Sequence, residues 1–178
     1  MRERRAALDR RRAREFEAFA AGAAGRLLHA AALLTAEPPV AAPRAQRLLI
    51  AALARTYVEW DPRRGDDPYD RARQALAQCF IREAWRVHVR RLSGRPADGV
   101  LAVLGPQERL VLVLRLYEGL TAEQTAALIG LPDERVRVLC ARAVTTMRRK
   151  GAGRGQGTHE AGTPRRRPVH RPPRAAHE

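Results

Sequence analysis

The 178-residue sequence predicts an all-α fold: two small helical domains joined by a short linker, with disordered basic ends. Two observations carry this expectation. Apolar residues recur at three- and four-residue spacing through each long segment, the period of one helix face. Proline, glycine and capping residues stand at the breaks, where helices start and stop. The expected units are a basic extension at 1–14, a helical domain at 15–92, a linker at 93–99, a helix-turn-helix domain at 100–149 and a Gly/Pro/Arg-rich tail at 150–178.

In chain order, residues 1–14 hold seven arginines against Glu3 and Asp9 and suit a frayed helical extension or a basic arm, with a solvated extension favoured over a specific binding arm. From Glu15 to Thr35, Phe16, Phe19, Ala23, Leu27, Ala30 and Leu34 form an amphipathic stripe, with His29 beside it as a surface side chain. Pro38 and Pro39 break that helix. A second helix is expected over Arg44–Glu59, with Leu49, Leu53, Tyr57 and Trp60 on one side. Asp61 to Pro68 is a loop by composition, and Asp66 and Asp67 there suit turn chemistry. A third helix is expected from Tyr69 to Leu92, with Ala72, Leu76, Phe80 and Ala84 inward and arginines along its length.

The segment from Leu104 to Arg149 is the most informative. Pro106 opens its first helix at a position where a missing N–H costs nothing. Leu110, Val113, Leu114 and Tyr117 follow at helical spacing, and Gly119 marks a break. Thr121 and Gln124 form a capping box that starts a short second helix, which Gly130 ends. Pro132, Asp133 and Glu134 start a third, with acids in the turn that favours them. There Val136, Cys140, Ala143 and Met147 share one face, while Arg135, Arg142, Thr145 and Arg149 fall away from it. A short helix, a tight turn and a longer helix with arginines on its free face make a helix-turn-helix, a unit that reads duplex DNA through the major groove.

The net charge is +15, with Lys150 as the single lysine. Residues 1–14, 44–91 and 150–178 each contribute +5, which favours polyanionic partners and salt-dependent binding. Aromatic residues are 4% of the chain, too few for a single-strand stacking platform of the RRM or OB type. Cys79 and Cys140 lie far apart in apolar helical contexts and read as free thiols of a reducing cytoplasm, without zinc spacing. Glu17, Arg26 and His29 interrupt the apolar run from Phe16 to Leu34, so no membrane span or signal peptide is expected. The absence of a GxGxxG, a P-loop or paired carboxylates in an apolar cleft argues against an enzyme, and no metal or cofactor is expected.

With these residues in place, the segment resembles region four of bacterial RNA polymerase sigma factors of the small extracytoplasmic-function type. Leu104, Gln107, Arg109, the Tyr117-Glu118 pair before Leu120, the Thr121/Gln124 cap, Ile129-Gly130, Arg137 and Arg142 stand where that pattern has such residues. Ala52 to Trp60, an Asp-Pro loop and the arginine-rich third helix with Trp85 resemble region two. The resemblance covers residues 15–149 and implies core RNA polymerase and promoter DNA as partners, an anti-sigma factor as a further one, and action in the cytoplasm. It implies that Gln78, Arg82, Trp85 and Arg86 face the downstream promoter element. Thr121, Gln124, Arg135, Arg137, Val138 and Arg142 would then face the upstream one.

The polymerase-binding run departs from the family. Gln46, Arg47, Leu49 and Ile50 fall in it, and Arg47 and Ile50 stand where the family has an acid and a glutamine. A charge reversal there sets like charges opposite each other. In the third helix of the helix-turn-helix, Val138 and Leu139 stand where Ser and Arg are common. Trp85 is single where a pair is usual, and Gln78 lies near a usual asparagine. A stand-alone sigma-like DNA-binding regulator, or an interaction module without productive polymerase docking, is therefore the alternative reading.

Overall fold

The computed structural model describes residues 1–38, 41–61, 65–89 and 99–156, with side chains through Trp85 in the third stretch and through Ala152 in the last. Among these residues all regular structure is helical: α1 Arg2–Thr35, α2 Pro43–Val58, α3 Pro68–Val89, α4 Pro106–Leu112, a π-helical turn at Val113–Tyr117, α5 Ala122–Ile129 and α6 Asp133–Gln156.

The first three helices form a bundle. Ala23, Leu27, Ala30 and Leu34 of α1 meet Ala45, Leu48, Leu49 and Ala52 of α2, and Ala72, Leu76 and Phe80 of α3 close the core. Small alanines on facing ridges let the helices pack closely. At one end Phe16, Phe19, Tyr57 and Trp60 stack with ring centroids 5.0–6.0 Å apart. By length and composition α1 could cross a membrane, yet Leu27, Ala30, Ala31 and Leu34 are buried in this core.

Two local devices turn the chain between α1 and α2. Ala36 ends α1 in the left-handed conformation at φ 52°. Glu37 then caps α2: its carboxylate accepts from the N–H groups of Arg44 at 3.2 Å and Ala45 at 2.8 Å, where the helix end is positive. Asp67 does similar work for α3, accepting from the Tyr69 N–H at 2.9 Å, in keeping with its expected turn role.

The structure extends two of the expected helices. Helix α1 begins at Arg2, so the arginine-rich start continues the same helix; Arg12 donates to the Tyr57 and Val58 carbonyls and ties it to the end of α2. Those carbonyls lie at the negative C-terminal end of α2, which a cation suits, and the Tyr57 carbonyl also accepts from the Trp60 N–H at 3.1 Å. Helix α6 runs to Gln156, beyond Arg149, into a stretch whose composition suggested disorder. Residues 157–178, and all of the expected linker before Gly99, lie outside the described residues.

The α4–α6 half has a small core of its own, with Val111, Ala122, Ala126, Val136 and Leu139. Its other apolar side, Leu101, Leu104, Leu110, Leu112, Val113 and Leu114, joins the core of α1–α3. The sequence permits the halves to pack or to stay apart; in the structure they share apolar surface. Arg109, 9% exposed, crosses the junction and donates to the Leu34 carbonyl at 2.8 Å and the Leu104 carbonyl at 2.9 Å. Burial, then repulsion from Arg44, lowers its pKa. The Gly99 N–H donates to the Ala36 carbonyl at 2.8 Å, and a Cβ at Gly99 would stand 2.5 Å from the Ala36 carbonyl carbon.

Candidate nucleic-acid interface

Helices α5 and α6 form the helix-turn-helix. The expected capping box is present: Thr121 Oγ1 accepts from the Gln124 N–H at 3.1 Å, and Gln124 Oε1 accepts from the Thr121 N–H at 2.8 Å. Gly130 ends α5 at φ 71°, a conformation glycine adopts without a Cβ clash. The Arg115 guanidinium donates to the Leu120 carbonyl and fixes the chain just before α5.

Helix α6 buries Val136, Leu139 and Ala143 and exposes Val138 by 47%. Leu139 therefore belongs to the core side, beside the Val136 and Ala143 face, and Val138 alone of that pair faces outward. The arginines expected at the upstream element divide between two flanks. Arg135 and Arg142 line a groove of about 620 Å³ with Leu139, Gln107, Glu108 and Trp85, and Arg142 pairs with Glu108 at 3.4 Å. Arg137 lies on the other flank with Arg115, Cys140 and Arg148. Three carboxylates hold it: Glu123 at 2.7 Å, Glu134 at 2.9 Å and Asp133 at 3.1 Å. The Glu123 hydrogen bond and the charge of Asp133 raise the Arg137 pKa. Glu123 itself is held below the usual carboxylate range, first by its own backbone N–H at the start of α5, then by Thr121 and Arg137.

On α3, Gln78, Arg82 and Trp85 recur at i, i+4 and i+7, one stripe of a helix. Gln78 lines a cleft with Arg55, Thr56 and Glu59 at the end of α2, Arg82 is exposed and donates to Cys79 Sγ at 3.1 Å, and Trp85 is 74% exposed. A tryptophan this exposed contributes little to the core and offers a face for a base to stack on. The Arg86 side chain lies outside the described ones. On α2, Gln46, Arg47 and Ile50 are exposed on the outer side, whereas Leu49 packs in the core.

A cluster between the halves went unread in the sequence. Glu118 accepts from Tyr69 Oη at 3.1 Å and pairs with Arg26 at 3.4 Å, and the exposed His29 stacks on Tyr117 with centroids 5.1 Å apart. In the sequence Tyr117 and Glu118 are legible as the end of an apolar helical face and as part of the family pattern, not as members of a cluster. Their partners lie on α1 and α3, and no local spacing signals them.

A helical bundle carrying an aromatic and basic stripe, followed by a helix-turn-helix, defines a DNA-binding protein of transcription. The model for sigma-70, region 4 matches residues 100–149, which contain α4 to most of α6. The chain is 32% identical to the RNA polymerase sigma-E factor of Streptomyces coelicolor, over 75% of this chain and 84% of that protein. It is 29% identical to the RNA polymerase sigma-E factor of Streptomyces avermitilis, over 75% and 83%. No solved structure matches the chain. The chain belongs to the RNA polymerase sigma factor family.

Proposed function

We propose that the chain binds core RNA polymerase in the cytoplasm and directs it to promoter DNA, with the chemistry of transcription left to the polymerase. The α5–α6 unit carries this reading: a capped helix and a tight turn present a third helix whose buried face is apolar and whose free faces are basic. Val138, exposed on α6, suits contact with a thymine methyl, while Arg135 and Arg142 suit guanine edges or phosphates. Thr121 and Gln124, reciprocally bonded at the positive start of α5, suit a nearby phosphate. Arg82 and Trp85 suit the downstream element, one for backbone charge and one for stacking on an exposed base. Gln46, Arg47 and Ile50 form the exposed polymerase-facing run. An anti-sigma factor is a further partner of this class of protein.

The test is co-elution of the purified chain with core RNA polymerase on a sizing column at moderate and higher salt, followed by initiation from a promoter template. A stable complex and promoter-directed transcripts are expected. Duplex binding without a polymerase complex favours the stand-alone regulator. The observation behind that second reading is the exposure of Arg47 and Ile50 on α2, where a basic partner surface meets a cation and an alkyl chain. In that outcome Arg47→Glu should restore the complex.

A further inference from the structure

Helix α1 is 34 residues long, and α2, which runs back along it, has 16. The first α1 side chain that hydrogen-bonds to another element is Arg12, which donates to the Tyr57 and Val58 carbonyls at 2.6 and 3.0 Å. Phe16 then stacks on Tyr57 and Trp60. Arg2–Arg11 therefore stands past the end of α2, as about 15 Å of helix at about 1.5 Å per residue. Every residue in this overhang but Ala6 is exposed.

Most of its positive charge is unanswered within the protein. Arg11 pairs with Glu15 at 2.8 Å. Arg2, Arg4, Arg5 and Arg10, with Arg14 at the base, make no side-chain hydrogen bond or ion pair among the described residues. Local electrostatics also oppose the helix. Arg2, Arg4 and Arg5 sit at its positive end, with Glu3 as the acid of the first turn. Arg10 and Arg14 are like charges at i, i+4. Anions along the helix relieve both kinds of repulsion, and a polyanion supplies them in a row.

By helical projection Arg4, Arg10, Arg11 and Arg14 lie on the side of α1 away from Phe16, Ala23 and Leu27, so they form one basic stripe. The root of the overhang touches the last turn of α2. That turn also supplies Arg55, Thr56 and Glu59 to the cleft that Gln78 lines. A nucleic acid seated at that cleft and continuing past this end of the bundle meets the overhang.

We propose that the overhang of α1 is a nucleic-acid backbone contact independent of base sequence, with Arg4, Arg10 and, at its base, Arg14 as the phosphate-binding side chains. The choice of nucleic acid rests on the DNA-binding reading of the neighbouring cleft; the exposed, unpaired stripe does not. Such a contact adds affinity and salt dependence without adding sequence preference.

The test uses the full chain and a fluorescent duplex without a promoter element, titrated across salt. Arg4→Gln, Arg10→Gln and Arg14→Gln together remove the charge and keep good helix formers at exposed positions. This variant should bind more weakly and lose roughly 2–3 from the slope of log affinity against log salt, at about 0.9 per phosphate. The ratio of promoter to scrambled-duplex affinity should stay the same. Ala7→Pro keeps every charge and breaks the helix within the overhang, outside the bundle. It should lose part of the same slope, whereas Ala7→Gln should lose none. Amide exchange at residues 5–11 of the unsubstituted chain should slow when duplex is added.

An unchanged slope in the triple variant overturns the proposal and leaves these arginines solvated. An undiminished slope in Ala7→Pro, or exchange that does not slow, overturns the helix as the docking unit. A changed promoter ratio overturns the independence from sequence. Exchange slowed by vesicles of phosphatidylglycerol but not by duplex overturns nucleic acid as the partner. Failure to form a complex with core polymerase would defeat the sigma-factor reading instead, and the salt slopes would still decide the role of the overhang.

Discussion

Arg137 has three carboxylates within 3.1 Å, so much of its charge is answered inside the protein. Removing it leaves Glu123, Asp133 and Glu134 uncompensated beside the side of α6 proposed to face DNA. Arg137→Ala should therefore weaken duplex binding roughly tenfold by fluorescence anisotropy at low salt, and Glu123→Gln in that background should recover part of the loss. Unchanged affinity would take Arg137 off the reading surface. Arg109 matters to stability instead. Arg109→Ala strands the Leu34 and Leu104 carbonyls at the junction, at a cost of about 2–4 kcal/mol, visible as a lower urea midpoint with an unchanged slope. The sequence marked both arginines as fitting the family pattern. Asp133 and Glu134 follow from spacing along α6, but the Glu123 contact of Arg137 and the Leu34 contact of Arg109 come from other helices and carried no local sign.

At the scale of elements, local chemistry fixed most boundaries. The Thr121 cap was legible because its bonds close within three residues, and Thr121→Ala should lower the stability of the helix-turn-helix by about 1 kcal/mol in calorimetry. Gly99 is required for another reason. Its N–H donates to the Ala36 carbonyl, and the absence of a Cβ permits that approach. Gly99→Ala should cost about 1–3 kcal/mol and lower the unfolding temperature. The π-helical turn at Val113–Tyr117 went unread. Its bonds run from the Glu118 N–H to the Val113 carbonyl at 3.0 Å, and the added residue shifts the helix phase just before Glu118.

For the whole molecule, charge and packing act separately. Residues 157–178 carry five arginines against Glu160 and Glu178, a net +3. Deleting them should lower nonspecific DNA affinity and flatten its dependence on salt while sequence preference stays, measured by binding titrations across salt on cognate and scrambled duplexes. A lost preference would give the tail a role beyond charge. The packing of the halves is a separate matter of shape: α1 supplies core to both, with Leu27 and Leu34 buried in the cluster that also contains Leu110 and Val113.

The all-α class, the break at Gly119, the capped α5, the outward Val138 and the basic surplus were determined by the sequence alone. Each depends on bonds or spacings that close within a turn or two of helix, or on composition. Tertiary structure alone decided that Leu139 turns inward, that Arg135 and Arg142 face Trp85 while Arg137 does not, and that Glu118 meets Tyr69 across 49 residues. Those outcomes depend on how whole helices pack, and the free energy that selects one packing is shared among many side chains rather than written at any one position.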